Sequence, residues 1–215
     1  SPKVILLETN IFYRNTGFYE EAQNFAERII KKTFPIYEFH NRWKNLNLKE
    51  IKAIYKKPKY TWSNSFKGIY YNTNIEPYLK GDYVKITDKF NDIQNMPLSY
   101  LNKIVDLCNE QNIQLILYCV PSPLCWTYQK HNSSAAFAEK NELPYIDMNL
   151  YINELKIDWS KDTRDKGNHL NFNGALKITD YLGLYLSEHC KLTDHRKDEK
   201  YSEWNNELDE YLQFL

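Results

Sequence analysis

Ile113-Gln114-Leu115-Ile116-Leu117-Tyr118-Cys119-Val120 is a near-continuous apolar run, opened by Asn112 and closed by Pro121. A strand with one wet face alternates apolar and polar residues, whereas an unbroken run fits a parallel strand covered on both faces. Val4-Ile5-Leu6-Leu7 and the stretch from Pro144 to Met148 read the same way. Helical patterns fall between and after these runs. Leu101, Ile104, Val105 and Cys108 share a stripe, with Ser99 placed to cap it. Residues 133–141 read as a short crossover helix into Pro144. Ala175, Ile178, Leu182 and Leu186 form a stripe along Gly174 to Leu186. This β-α-β-α rhythm predicts a layered α/β fold with a parallel sheet.

The roughly ninety residues between the first run and the helix at 99 are far more than a connection needs. Glu20 to Lys32 and Leu48 to Lys57 have helical patterns, while Trp62 to Phe90 is rich in Tyr and Asn and reads as loop or extended chain. We expect residues 11–96 to form an inserted, mostly helical cap over one end of the sheet. The tail, 202–215, carries Trp204, Leu208, Tyr211 and Leu215 on one side of a helix and is expected to dock on the body. The expectation is one domain spanning 1–215.

Composition narrows the function classes. Aromatic residues reach 15%, with 18 Tyr and 5 Trp, too many for a disordered chain. Lys+Arg 28 against Asp+Glu 28 leaves a formal net charge of zero. With no basic block either, nothing attracts a nucleic-acid backbone, so no nucleic-acid partner is expected. No apolar run approaches the roughly 20 residues that span a bilayer. Cys108, Cys119, Cys125 and Cys190 lack zinc-type spacing, and Cys108 and Cys119 lie in apolar segments as packed thiols. His40, His169 and Asp165 are the residues from which a metal site would be assembled. No ligand spacing supports one, so neither metal nor cofactor is expected.

In open parallel sheets, ligands bind beyond the carboxyl ends of the strands. That rule selects Glu8, Thr9 and Asn10 after the first run, then Pro121-Ser122-Pro123, Cys125 and Trp126 after the second, and Asp147 and Asn149 after the third. Asp162-Thr163-Arg164-Asp165-Lys166-Gly167-Asn168-His169-Leu170-Asn171 follows, with Gly167 to let the loop turn and Asn171 or Asn173 to cap the last core helix. Imidazole transfers protons both ways near neutral pH, and a neighbouring carboxylate fixes its tautomer. Spacing alone fits equally a loop histidine bonded to backbone beside an exposed aspartate.

Asp165-Lys-Gly-Asn-His169-Leu-Asn171-Phe-Asn-Gly174-Ala175, followed by Lys177 and an amphipathic helix, resembles the C-terminal Asp/His block of SGNH (GDSL-like) hydrolases. Val4-Ile-Leu-Leu-Glu8-Thr-Asn10, Phe39-His40-Asn-Arg42-Trp43, Val120-Pro-Ser-Pro123 and Asp194-His195-Arg196 add to the likeness, which is closest to bacterial cell-envelope O-acyltransferases and esterases. The resemblance implies a three-layer α/β/α fold with a parallel sheet. It implies a serine nucleophile activated by His169, Asp165 orienting that imidazole, and Asn10 as oxyanion donor.

The sequence departs from the family in three places. The family acid stands three residues before the histidine, where this chain has Lys166; Asp165 stands four before, and Asp162 is the fallback. The Gly and Asp that flank the family's oxyanion Asn are absent around Asn10, which also reads as a strand-terminating turn residue. The serine that follows the family's first strand has no counterpart. The resemblance therefore makes Val4 to Leu7 the third family strand and puts the nucleophile upstream of Ser1. An N-terminal fragment or a partner strand is then expected to complete the sheet.

The remaining candidates are substrate contacts. Arg42, with His40 and Trp43, would hold an anionic or sugar substrate, or form an ion pair with Glu8. Glu8 itself is a site carboxylate or a buried partner of a basic residue. Trp126 and Tyr128 would stack on a sugar ring or cover the insertion. Ser122, between two prolines, reads as a rigid turn at the site, and is the nucleophile to test if the serine does not lie upstream. Cys125 is a further nucleophile to consider. His131, His189 and His195 have no evident partners. The expected function is acyl-ester hydrolysis or O-acyl transfer on an envelope carbohydrate, in a cell-envelope or extracellular setting. The competing expectation is a degenerate, non-catalytic domain that binds glycan or scaffolds a partner.

Overall fold

The three apolar runs form one parallel sheet. β1 (Val4–Glu8), β2 (Gln114–Cys119) and β3 (Tyr145–Asp147) lie side by side in the order β1-β2-β3. Leu6 stands opposite Ile116, and Cys119 opposite Asp147. The computed structural model describes residues 2–13 and 71–214. Parallel neighbours need long crossovers. Here helix α1 (Asn95–Glu110) precedes β2, and helix α2 (Tyr128–Lys140) joins β2 to β3.

β2 shows why its sequence lacks polar alternation. Leu115 and Leu117 point into a cluster with Phe12, Leu101, Val105 and Cys108, closed by Phe137 and Ala138 of α2. Ile116, between them, points the other way, into a cluster with Ile146, Met148 and Ile178, the last from helix α3 (Phe172–His189). Successive strand residues face opposite sides, so a strand covered on both must be apolar throughout. Each such buried side chain contributes roughly 1.5–3 kcal/mol. β1 is only half buried and, among the described residues, pairs with β2 alone.

The helix boundaries differ from the sequence reading at two places. α1 starts at Asn95, so Ser99 lies inside the helix and caps nothing. The reason is Pro97, which fits the first helical turn because its missing N–H has no partner there anyway. α2 starts at Tyr128, ahead of the expected 133, with the Thr127 side chain accepting the Lys130 N–H. Its buried face is made of Ser133, Ser134, Phe137 and Ala138, so small polar residues hid the stripe. α3 is capped as expected by Asn171, whose Oδ1 accepts the Gly174 N–H at 3.1 Å.

By contacts the chain divides into two units, 1–14 with 69–202 and 15–68 with 203–215. The helices expected at 20–32 and 48–57 lie outside the described residues. Residues 71–94 carry no regular structure but are pinned by backbone bonds, from Glu76 N–H to Thr163 O and from Tyr78 N–H to Trp159 O, each at 3.0 Å. The tail forms helix α4 (Ser202–Phe214), which belongs to the second unit from Glu203 onward. No helix among the described residues is long and apolar enough to cross a membrane.

Candidate functional site

The loop before α3 is built around one buried threonine. Thr163 Oγ1 donates to the His169 carbonyl at 2.9 Å and accepts the Gly167 N–H at 2.8 Å, and Thr163 bridges Leu170 across the loop. Lys166 and Gly167 turn the chain with φ of 59° and 92°. At Gly167 a Cβ would lie 3.0 Å from the Tyr78 ring, so glycine serves both the left-handed turn and that close approach.

This folding wraps Asp165 onto His169. One carboxylate oxygen accepts the His169 backbone N–H at 2.5 Å, and the other lies 2.5 Å from Nδ1 of the imidazole. With Nδ1 turned to the carboxylate, Nε2 is the nitrogen left to take a proton. Burial pushes the Asp165 carboxyl up, but the two hydrogen bonds from His169 and its charge outweigh that and hold it below the usual carboxylate range. The His169 side chain is 55% exposed. Asp162, the fallback acid, is buried and bound to Lys177 at 2.5 Å, so it does not orient His169.

His169 borders a cavity of about 510 Å³ at the carboxyl end of the sheet. Glu8 and Asn10 line it after β1, Pro121, Ser122 and Cys125 after β2, and Asn168 beside His169; Ile178 and Leu182 of α3 form an apolar wall. The imidazole therefore stands where the ligand rule for parallel sheets places chemistry. Asn10 is turned toward Glu8: its backbone N–H and its Nδ2 each donate to the Glu8 carboxylate at 2.8 Å. Nδ2 carries a second hydrogen beyond the one given to Glu8. Burial raises the Glu8 pKa, against hydrogen bonds from Asn10, Val120 and Cys119 that only partly offset it.

Ser122 lines the same cavity but is buried, and its hydroxyl donates to the Asn168 carbonyl at 2.8 Å. It staples the histidine loop to the Pro-Ser-Pro bend. The Cys125 thiol donates to Asn168 Oδ1 at 2.7 Å. Trp126 corrects the sugar-stacking reading and fits its alternative, cover for the insertion: it is 3% exposed, is not on the cavity, meets Tyr83 edge to face at 5.8 Å, and its indole N–H donates to Asp147 at 2.8 Å. His40 and Arg42 lie outside the described residues.

Sequence reasoning missed a second His–Asp pair. His131 Nδ1 lies 2.8 Å from Asp147, a buried carboxylate that also accepts from Trp126, from the Tyr145 hydroxyl and from both nitrogens of Asn149. With so many donors, this carboxylate is an organiser of the strand end. Only the docking of α2 on β3 brings His131 to it, and no spacing signal announces that. His189 stacks on Tyr185 with ring centroids 4.2 Å apart, and His195 meets Asp198 at 3.3 Å. Among the described residues, no group of three His, Cys, Asp or Glu side chains is disposed to hold a metal.

No family model, curated protein or solved structure matches this chain. The fold and site define a mixed α/β chain with a three-stranded parallel sheet, whose carboxyl end carries a cavity bordered by a carboxylate-held histidine.

Proposed function

We propose that the chain is the His–Asp portion of an SGNH-like acyl-ester enzyme, a hydrolase or O-acyltransferase acting on an envelope carbohydrate. The observation that carries this reading is His169: its Nδ1 is held by Asp165 while the ring borders a cavity that also contains Asn10. That pairing is what proton transfer between a hydroxyl nucleophile and a leaving alkoxide requires.

The nucleophile in this reading is a serine upstream of Ser1, as the family likeness implies; the Ser122 hydroxyl, on the cavity wall, donates to the Asn168 carbonyl. The serine hydroxyl attacks the ester carbonyl as Nε2 of His169 takes its proton. The tetrahedral intermediate collapses, the sugar alkoxide leaves with that proton, and an acyl-serine remains. Water or an acceptor hydroxyl then attacks, again losing its proton to His169, and the acyl–serine bond breaks as His169 returns that proton to the serine oxygen. Asp165 keeps the imidazole in one tautomer and stabilises its cationic form. The second Nδ2 hydrogen of Asn10 serves the developing oxyanion, a contribution of roughly 3–4 kcal/mol where such a donor is aligned.

A fluorophosphonate probe tests this on the full-length gene product. Labelling of a serine is expected, and His169→Ala should abolish it. Labelling at an unchanged rate in His169→Ala removes His169 as the base. A full-length protein that does not label at all favours the second reading, a non-catalytic glycan-binding or scaffolding domain.

A further inference from the structure

On the other side of Asn149 lies a second cavity, of about 630 Å³. Its walls include the rings of Tyr78, Tyr83, Tyr128 and Trp159, and Asp82 and Asn153 stand at its polar rim. Tyr78, Tyr83 and Trp159 brace one another edge to face, and Tyr128 is braced by Trp126. Tyr83 and Trp159 are 5.8 Å apart between centroids at 79°, and Tyr78 meets Trp159 at 6.2 Å and 69°. Such contacts fix ring orientation, so little side-chain freedom remains to be lost on binding. These four side chains are each half-buried and border open space.

The lining selects a ligand by its chemistry. Among the described residues no Lys, Arg or His lines this cavity, and Asp82 is an acid, so a phosphate or carboxylate ligand finds no counter-charge. Asp82 spends one oxygen on the Val84 N–H at 2.9 Å and has the other for a hydroxyl donor. Flat aromatic surface combined with a few placed carboxylate and amide groups matches a sugar ring, which presents C–H faces and a hydroxyl edge. Val84, Ile86, Leu150 and Ile152 also line the cavity, but an acyl chain laid against them would leave Asp82 and Asn153 unmatched. We infer that this cavity binds a neutral saccharide.

Its position relates it to the first cavity. The Asn149 oxygen accepts both the Tyr83 hydroxyl and the Ser122 N–H, each at 3.0 Å, so one carboxamide stands between the two. The binding site stands on its own residues and shares with the acyl-ester reading only the ligand class.

Titration followed by tryptophan fluorescence tests it, using the tetrasaccharides of glucose, galactose, mannose and N-acetylglucosamine, with tetragalacturonate as the anionic comparison. At least one neutral tetrasaccharide is expected to bind with a Kd under about 1 mM. Trp159→Ala should weaken that binding by about tenfold or more. Asp82→Ala, on an exposed rim residue, should weaken it severalfold, and it carries the test if Trp159→Ala does not fold. The inference is overturned if no neutral tetrasaccharide binds, if only tetragalacturonate binds, or if both variants bind as well as the parent. Binding is read without turnover, so a protein with no esterase activity still decides the question. Failure here leaves the acyl-ester reading to its own probe.

Discussion

Lys177 holds Asp162: its ammonium lies 2.5 Å from a carboxylate that is 3% exposed. The same carboxylate accepts the Asp158 N–H at 2.7 Å, and the Asp162 carbonyl accepts the Asn171 N–H at the start of α3. Asp162 is therefore the anchor of the histidine loop, which leaves Asp165 as the residue that orients His169.

Breaking that anchor should cost stability. Lys177→Met leaves a buried carboxylate without its cation. Because Lys177 is itself about a third exposed, the expected loss is about 1–3 kcal/mol, below the figure for a fully buried pair. Thermal melts measure it, and an unchanged Tm would mean the ion pair contributes nothing.

Gly174 gives a prediction whose sign opposes helix propensity. Alanine in a helix is favoured over glycine by about 1 kcal/mol. Yet a Cβ at Gly174 would lie 2.5 Å from the Asp162 carbonyl oxygen, which is backbone and cannot swing away. Gly174→Ala should therefore lower stability, by about 1–3 kcal/mol. A more stable variant would show that the loop yields freely.

The two polar residues flanking the proposed chemistry should separate by size of effect. Asp165→Asn removes the carboxylate that sets the imidazole tautomer and should slow fluorophosphonate labelling of the full-length protein by about 10²–10⁴-fold. Asn10→Ala should cost about 10²–10³-fold in kcat on an aryl acetate with little change in KM. An Asn10→Ala variant with wild-type kcat would return Asn10 to a turn role.

Glu8 sets a pH dependence. Burial raises its pKa in the folded chain, so the folded state holds the Glu8 proton more tightly than the unfolded state does. Its contribution to stability is then greatest at low pH and is lost as pH rises through the folded pKa. Wild-type protein should gain stability relative to Glu8→Gln as pH falls from about 7 to about 5. Paired denaturant titrations at the two pH values read the difference, and a gap that moves the other way would contradict the burial effect.

How much of this was legible depends on where each signal resides. The strands were readable because burial on both faces is written locally, as Leu115, Ile116 and Leu117 in succession. The α3 cap was readable because Asn171 acts on Gly174, three residues away. Thr163 was not singled out, although its hydroxyl closes the loop that presents His169, because its bonds to His169 and Gly167 exist only once the loop is bent. Trp126 looked available for a sugar and instead serves Asp147, a partner at the end of β3.

From its residues alone, then, the chain determined a parallel α/β sheet, the loop that caps α3, and the presence of an Asp and a His within one turn of that loop. Those features depend on periodicity and on bonds between near neighbours. Which acid holds His169, which serine and tryptophan are spent on structure, and that His131 meets Asp147 were decided by tertiary packing. A polar side chain pairs with whatever the docking of helices and strands brings within about 3 Å, and chain spacing carries no record of that distance.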